Sequence, residues 1–256
     1  MTEAGYVLLG LAAGILSGLF GIGGGIVLVP SLLIFFGMDL LDANATSLAA
    51  MLLPVGILGV WSYYKAGYVN VKESLWIALG LFAGSFFGGG IAVTINERLL
   101  SILYVGILLY VAMSYLDLST FFRKSSKKAE PTTEPQKYPV WAFVLVGLGA
   151  GVFAGLFGKG GGIVIVPMLM GVFRYSPKMA VATSLASLQL PVGLPGVLIY
   201  AGSGHLNIAT SALIAGGILA GAMLGALLGV KLASQHFKKI YAVFLLAVAI
   251  YMLVNK

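Results

Sequence analysis

The chain has 256 residues, of which 60% are hydrophobic and only 9% are charged. A soluble domain usually carries about 25% charged residues, so this composition excludes an ordinary water-soluble fold and predicts a protein of the lipid bilayer. The net charge is +7, but the basic residues lie at the ends of apolar segments and form no stripe, which excludes a nucleic-acid surface.

Eight apolar blocks follow one another along the chain, four on each side of a charged segment. The N-terminal MTEAGY lacks the positive region of a signal peptide, so we expect the first block to be retained. The last three blocks of each set have about the 20 residues that a helix needs to cross the hydrocarbon core. The blocks cover residues 5–37, 43–64, 74–95 and 99–121, then 140–172, 179–201, 208–230 and 239–255.

The first block of each set differs from the others in length and composition. Residues 5–37 would extend ~50 Å as one helix, which is too long for one crossing and short for two. The segment GLFGIGGGIVLVP (18–30) lies inside this block, and glycine and proline cost ~1 and ~3 kcal/mol relative to alanine in a helix interior. This pattern predicts a re-entrant hairpin with a turn at the glycines, although two short crossings fit the same block.

The second half of the chain repeats the first at a constant offset of 137 residues. Between 14–30 and 151–167, 12 of 17 positions are identical, and NATSLAAMLLP (44–54) aligns with VATSLASLQLP (181–191). The alignment predicts one repeat over residues 1–121 and another over 140–256. Residues 122–139 are charged and rich in Pro, Ser and Thr, so we interpret them as a flexible linker outside the membrane.

The distribution of Lys and Arg distinguishes parallel from inverted repeats. If each first block crosses once, the 14 Lys and Arg other than Lys159 divide 8 to 6 between the two sides. If each first block returns, they divide 12 to 2, with only Arg98 and Lys256 on the minority side. Because cytoplasmic loops are enriched in basic residues, the inverted arrangement is favoured, with both termini outside and the linker cytoplasmic.

The predicted fold is therefore an all-α polytopic membrane protein with two inverted-topology repeats. Each repeat has one re-entrant broken-helix hairpin and three transmembrane helices. Secondary transporters share this architecture and bind their substrate near the midplane, where the repeats meet. The two hairpin tips would converge there, and helix N-termini with bare glycine backbone favour an anion.

Lys159 adds a positive charge to the second tip, where the first copy has Ile22. A charge within a membrane segment predicts a functional site, and the alternative is that the side chain extends to the headgroups. Gln189 has an amide that either binds an oxyanion or pairs with a neighbouring helix. The hydroxyl residues are either ligands or helix caps. The predicted substrate-binding residues are Gly23, Gly24, Gly25, Lys159, Gly160, Gly161, Gly162, Gln189, Ser187, Thr46, Ser47, Thr183 and Ser184.

Two further sets of residues have predicted structural roles. Four prolines are expected to act as hinges or gates: Pro30, Pro54, Pro167 and Pro191. The two in the second blocks, Pro54 and Pro191, are expected to kink a transmembrane helix near its middle. Glycines of the third blocks recur every four residues, which predicts close helix packing at Gly80, Gly84, Gly88, Gly217, Gly221, Gly225 and Gly229. Tyr63 is interpreted as an interfacial belt residue.

The acidic residues and the missing motifs limit the chemistry of the chain. All 8 Asp and Glu lie at segment ends or in loops, which predicts transport without a buried-carboxylate proton relay and disfavours a metal-cation permease. There is no cysteine, no HExxH and no Gly-Lys-Ser/Thr after the glycines, so we expect no enzyme, no cofactor and no metal site. An anion channel built on the same tips is the alternative to a carrier.

The paired GLFGxGGGxxxVP segments, each followed by ATSL, resemble the TauE/SafE family of sulfite and organosulfonate transporters, also called the toluene sulfonate uptake permeases. The resemblance covers nearly the whole chain outside the linker. It implies that the substrate is a small sulfur oxyanion such as sulfite, sulfoacetate, thiosulfate or a related sulfonate. The expected location is the bacterial cytoplasmic membrane and the expected direction is export, although the residues themselves leave the direction open. Composition and spacing indicate only an anion, and they leave ion coupling and oligomeric state open.

Overall fold

The computed structural model describes residues 3–20, 23–52, 54, 56–115, 138–158, 161–231, 246 and 250. These residues form eleven α-helices, with no strand among them. The helices are α1 (Glu3–Phe20), α2 (Gly25–Phe36), α3 (Leu40–Ala50), α4 (Ile57–Lys65), α5 (Val71–Thr94), α6 (Glu97–Tyr115), α7 (Val140–Phe157), α8 (Gly162–Gly171), α9 (Pro177–Ser187), α10 (Leu194–Gly202) and α11 (Ile208–Lys231).

The chain forms two compact units. The larger unit contains residues 1–94 and 132–231, and therefore every helix except α6. The smaller unit contains residues 95–131 and 232–256, and α6 is its described helix. The other ten helices and the contacts among them lie within the larger unit.

The first block folds into two antiparallel helices, α1 and α2. Gly23 lies in the turn between them and has a left-handed φ of 75°, a conformation that side chains other than glycine rarely adopt. At the other end of the pair, the Tyr6 ring stacks on the Phe36 ring with their centroids 4.4 Å apart. The end of α2 therefore returns to the start of α1, and α2 extends ~18 Å from its N-terminus.

The first block of the second half has the same geometry. Gly158 ends α7 in a left-handed conformation with a φ of 60°, and α8 begins at Gly162. The Phe143 and Phe173 rings stack with their centroids 4.7 Å apart, at positions offset by 137 from Tyr6 and Phe36. Each repeat thus closes its pair of helices with one aromatic stack.

The second block of each repeat is broken into two short helices rather than kinked. The expected single transmembrane helices are wrong at these positions, because α3 ends at Ala50 and α9 ends at Ser187 before α4 and α10 begin. Pro54 and Pro191 cannot donate a backbone hydrogen bond, and each is followed two residues later by a glycine. The combined loss of a donor and of helix propensity at both residues accounts for a break in place of a bend.

The two repeats contact each other through their longest helices. Helix α1 packs along α11, and α5 packs along α7, so the first helix of each repeat lies on the third-block helix of the other. Glycines fill both interfaces: a Cβ on Gly84 would overlap the backbone oxygen of Leu148, and a Cβ on Gly217 would overlap that of Val7. The predicted close packing is confirmed for Gly80, Gly84, Gly88, Gly217, Gly221 and Gly225.

The surface of α5 away from its glycines is apolar. Leu79 and Phe86 are 57% and 55% exposed, although side chains of this kind are normally buried in a soluble protein. Four described helices, α1, α5, α7 and α11, are long and apolar enough to cross a membrane. The predicted all-helical, multi-pass membrane fold is confirmed.

The glycine interface generates a matched pair of substitutions. Gly217→Ala should lower the free energy of unfolding by about 1–3 kcal/mol or more, because the new Cβ overlaps the α1 backbone. Gly216→Ala should be neutral or slightly stabilising, because its Cβ would point into open space. Thermal unfolding of the two purified variants in detergent measures both effects, and equal melting temperatures would contradict the role of this interface.

Candidate functional site

One cavity lies where the hairpin tips and the broken helices of both repeats meet. About 600 Å³ of space lies between its lining atoms, and this volume includes space that is open to solvent. Six pairs of residues at equivalent repeat positions line it: Ser17 and Ala154, Gly24 and Gly161, Leu48 and Leu185, Met51 and Leu188, Gly56 and Gly193, and Leu81 and Ile218. Equivalent positions of both repeats therefore form most of the cavity lining.

Each repeat also contributes the N-terminus of a short helix to this cavity. Gly24 is the N-cap of α2 and Gly161 is the N-cap of α8, and neither cap offers a side chain to the free N–H groups. The first N–H groups of a helix have no partner within the helix, and the macrodipole places about half a positive charge there. Both tips are therefore electropositive and can donate hydrogen bonds to a ligand.

The remaining lining residues make the cavity asymmetric. Gly23, Ser85, Gln189 and Val192 complete the lining. The counterparts of Ser85 and Gln189 in the other repeat are Ala222 and Leu52, which are apolar. Among the described residues, none with an acidic or basic side chain lines the cavity, and they contain no group of three or more His, Asp or Glu that could hold a metal.

Gln189 and Ser85 contribute the amide and one hydroxyl of the lining. The Gln189 Nε2 donates to the Leu185 carbonyl at 2.7 Å, while its Oε1 is buried without a partner among the described residues. Ser85 Oγ lies 2.8 Å from the Val192 carbonyl, so its hydrogen bond holds the unwound segment of the second repeat on α5. Of these two side chains, Gln189 has the free polar atom.

Comparison with known proteins identifies the family of the chain. The model of the family described as "Sulfite exporter TauE/SafE" matches residues 6–252. The chain belongs to the TauE/SafE family. It is 30% identical to the probable membrane transporter protein YunE of Bacillus subtilis over 94% of each chain. It is also 30% identical to the probable membrane transporter protein MJ0441 of Methanocaldococcus jannaschii, over 96% of this chain and 94% of that protein. No solved structure matches the chain.

The other sequence-predicted site residues of this TauE/SafE protein have different positions. Gly25 and Gly162 are the first residues of α2 and α8. The five predicted hydroxyl residues are buried in the middle or at the end of α3 and α9: Thr46, Ser47, Thr183, Ser184 and Ser187. None of them lines the cavity, so a binding role for them stays a prediction. Lys159 and Gly160 lie outside the described residues.

The hydroxyl residues differ in their partners between the repeats. Thr183 Oγ1 lies 3.4 Å from the Asn70 backbone N–H, which can donate to it, and Ser187 Oγ donates to the Ser184 carbonyl at 2.7 Å. Thr46 Oγ1 and Ser47 Oγ are buried without a partner among the described residues. Thr46 and Thr183 thus occupy equivalent positions without the same hydrogen bond, and Ser187 has Ala50 as its counterpart.

The predicted hinge prolines occupy two kinds of position. Pro30 and Pro167 lie inside α2 and α8, and both helices continue through them. Pro54 and Pro191 lie in the unwound segments between paired short helices. A hinge role for all four stays a prediction, and the unwound pair adjoins the cavity-lining residues.

Two buried tyrosines stabilise the hairpins, and sequence reasoning missed both. The Tyr63 hydroxyl donates to the Gly18 carbonyl at 3.2 Å, and the Tyr200 hydroxyl donates to the Gly155 carbonyl at 2.9 Å. These carbonyls lie near the ends of α1 and α7, where the helical hydrogen bonds stop. Tyr63 is only 1% exposed, so its interpretation as an interfacial belt residue is wrong. Its alignment with Tyr200 at the repeat offset was the signal for a shared structural role.

Removal of the Tyr200 hydroxyl tests this bond. Tyr200→Phe should lower the free energy of unfolding by about 1–3 kcal/mol, because a carbonyl loses a buried donor. Tyr64→Phe is the matched control, since Tyr64 is 55% exposed and should tolerate the change. Thermal unfolding of both variants measures the difference, and an unchanged melting temperature for Tyr200→Phe would show that the hydroxyl does not stabilise the hairpin.

Proposed function

We propose that this protein is a secondary transporter that moves a small sulfur-containing anion across the bacterial cytoplasmic membrane by alternating access. Sulfite, sulfoacetate or a related organosulfonate, and thiosulfate are the candidate substrates, and export is the proposed direction. One observation carries the proposal: the N-termini of α2 and α8, one from each repeat, line the same cavity.

The chemistry of that cavity favours an anion over a cation. Two helix N-termini provide backbone N–H donors and positive dipole ends, and the glycines let an oxyanion approach the backbone. A carboxylate would repel an anion, and no described lining residue carries one. A sulfonate or sulfite group has three oxygens, so it can accept hydrogen bonds from both tips at once.

Lys159 is the proposed source of full positive charge in this site. It lies between Gly158 and Gly161 in the sequence, and Gly161 lines the cavity. A hydrogen bond to a charged group contributes about 1.5–3 kcal/mol, which corresponds to about 10- to 100-fold in affinity. The first repeat has Ile22 at the equivalent position, so we propose that the anionic group binds nearer to the second tip.

Contacts at the helix ends support inverted repeats. His205 Nδ1 lies 2.7 Å from Asp42 Oδ1, which places the segment before α11 beside the start of α3. Ser74 Oγ donates to the Thr183 carbonyl at 3.1 Å, which places the start of α5 beside α9. We propose that these two contacts lie on opposite sides of the membrane, with both chain termini outside and residues 122–139 in the cytoplasm.

A binding screen tests the anion site. Purified protein should bind sulfite, sulfoacetate or thiosulfate more tightly than chloride, and Lys159→Ala should weaken that binding by about 10-fold or more. Lys65→Ala is the matched control, because Lys65 lies over the Trp61 ring and lines no part of the cavity. Unchanged affinity and transport in Lys159→Ala would remove this residue from the site.

Transport assays distinguish a carrier from a channel. In proteoliposomes a carrier should show saturable counterflow of the bound anion, whereas single-channel currents would establish the alternative of an anion channel.

The proposed topology can be tested by cysteine labelling, since the natural chain has no cysteine. Ser126→Cys in the linker should react with a membrane-impermeant maleimide only from the cytoplasmic side. Asn255→Cys near the C-terminus should react only from outside. Labelling of both from the same side would contradict the proposed arrangement.

A further inference from the structure

We propose that Gln189 Oε1 accepts a hydrogen bond from the substrate, so that the protein selects anions that also carry a hydrogen-bond donor. The donor is a hydroxyl, an ammonium group or the proton of a partly protonated oxyanion. This inference rests on the proposed function, because it assigns a specificity residue within the proposed anion site. Among the candidate substrates it favours partly protonated sulfite and donor-bearing sulfonates over thiosulfate and sulfoacetate, which carry no donor when ionised.

The orientation of the Gln189 amide is fixed by its neighbour. Its Nε2 lies 2.7 Å from the Leu185 carbonyl, and a carbonyl oxygen can only accept. If the amide were turned over, two acceptor oxygens would face each other at that distance. The hydrogen-bond network therefore assigns the free atom as Oε1, an acceptor.

This free acceptor belongs to a cavity-lining residue. Gln189 lines the cavity, and its Oε1 is buried with no hydrogen-bond partner among the described residues. A buried acceptor without a donor is unfavourable, so a ligand that brings a donor gains more from binding than one that does not. An oxyanion without a donor would instead place its oxygens against another acceptor.

The amide packs against a glycine of the first repeat, and only the second repeat has an amide at this position. Gly56 faces Gln189 so closely that a Cβ there would lie 2.6 Å from Nε2. The position equivalent to Gln189 is Leu52, which offers no hydrogen bond. The cavity can thus bind the anionic group of a substrate at the hairpin tips and its donor at Gln189, in one orientation.

Two sulfonates of nearly the same shape separate donor recognition from anion recognition. Isethionate has a terminal hydroxyl where propane-1-sulfonate has a methyl group. Wild-type protein should bind isethionate about tenfold more tightly, because only its hydroxyl can donate to Oε1. In Gln189→Leu, which introduces the residue of the other repeat, the ratio of the two affinities should fall to about one.

Further ligands identify the source of the donor. Taurine tests an ammonium group against the hydroxyl of isethionate. Sulfite tests the proton of the oxyanion, because it loses that proton as the pH rises. The affinity of wild-type protein for sulfite should then fall more steeply with pH than the affinity of Gln189→Leu. Gln189→Met, which keeps the unbranched shape, replaces Gln189→Leu if that variant does not fold.

The outcomes separate this inference from the proposed function. In one outcome, wild-type protein binds donor-free anions tightly and shows no preference for a donor, and Lys159→Ala loses this binding. That outcome would overturn the role of Gln189 but would support the proposed anion site. A donor preference that persists in Gln189→Leu and Gln189→Met would also overturn it. If wild-type protein binds no anion of the series, the proposed function itself fails.

Discussion

Backbone-to-backbone contact between glycine-lined helices is the constraint on which the rest of the described fold depends. Glycines at four-residue spacing on both partners let α1 meet α11 and α5 meet α7 so closely that a methyl group would overlap a carbonyl oxygen. In a membrane, apolar side chains gain little by leaving lipid for protein, so close packing must supply much of the association. Because each interface joins the two repeats, the hairpin tips cannot be positioned by one repeat alone.

Pairing of backbone groups then decides the polarity of the cavity. A helix that stops inside the membrane leaves carbonyls at one end and N–H groups at the other, and each must be satisfied. The carbonyls at the ends of α1 and α7 receive hydrogen bonds from Tyr63, Tyr200 and the Asn44 amide. The N-termini of α2 and α8 are capped by glycines, which offer no side chain. The N–H donors of α2 and α8 can therefore serve a ligand in the cavity, whereas carbonyl acceptors of α1 and α7 are paired with side chains. This difference supports an anion as the proposed ligand.

Much of the fold could be predicted from sequence because it depends on local properties. The length of the first block, the glycines within it and the repeat at 137 predict a turn there, and the four-residue glycine spacing predicts the interface. The broken second blocks were harder, since Pro54 and Pro191 alone are compatible with a kink. Tyr63 and Gln189 depend on tertiary neighbours: Tyr63 needs the Gly18 carbonyl, and Gln189 needs the cavity-lining residues of the first repeat, to define its role. No local pattern contains those partners.

The differences between the repeats matter because the framework around them is symmetric. Two identical repeats would give inward-facing and outward-facing states of equal energy, each with the same half-site. In this chain Gln189 faces the cavity where the other repeat has Leu52, and Ser17 lines it where the other repeat has Ala154. A bound anion with a donor would contact these side chains differently in the two states, and a ligand shifts an equilibrium only by its differential affinity for them. Under the proposed alternating access, polar residues present in one repeat only, such as Gln189 and Ser17, therefore set whether the loaded transporter prefers the inward-facing or the outward-facing state. The glycines that both repeats share make both states accessible.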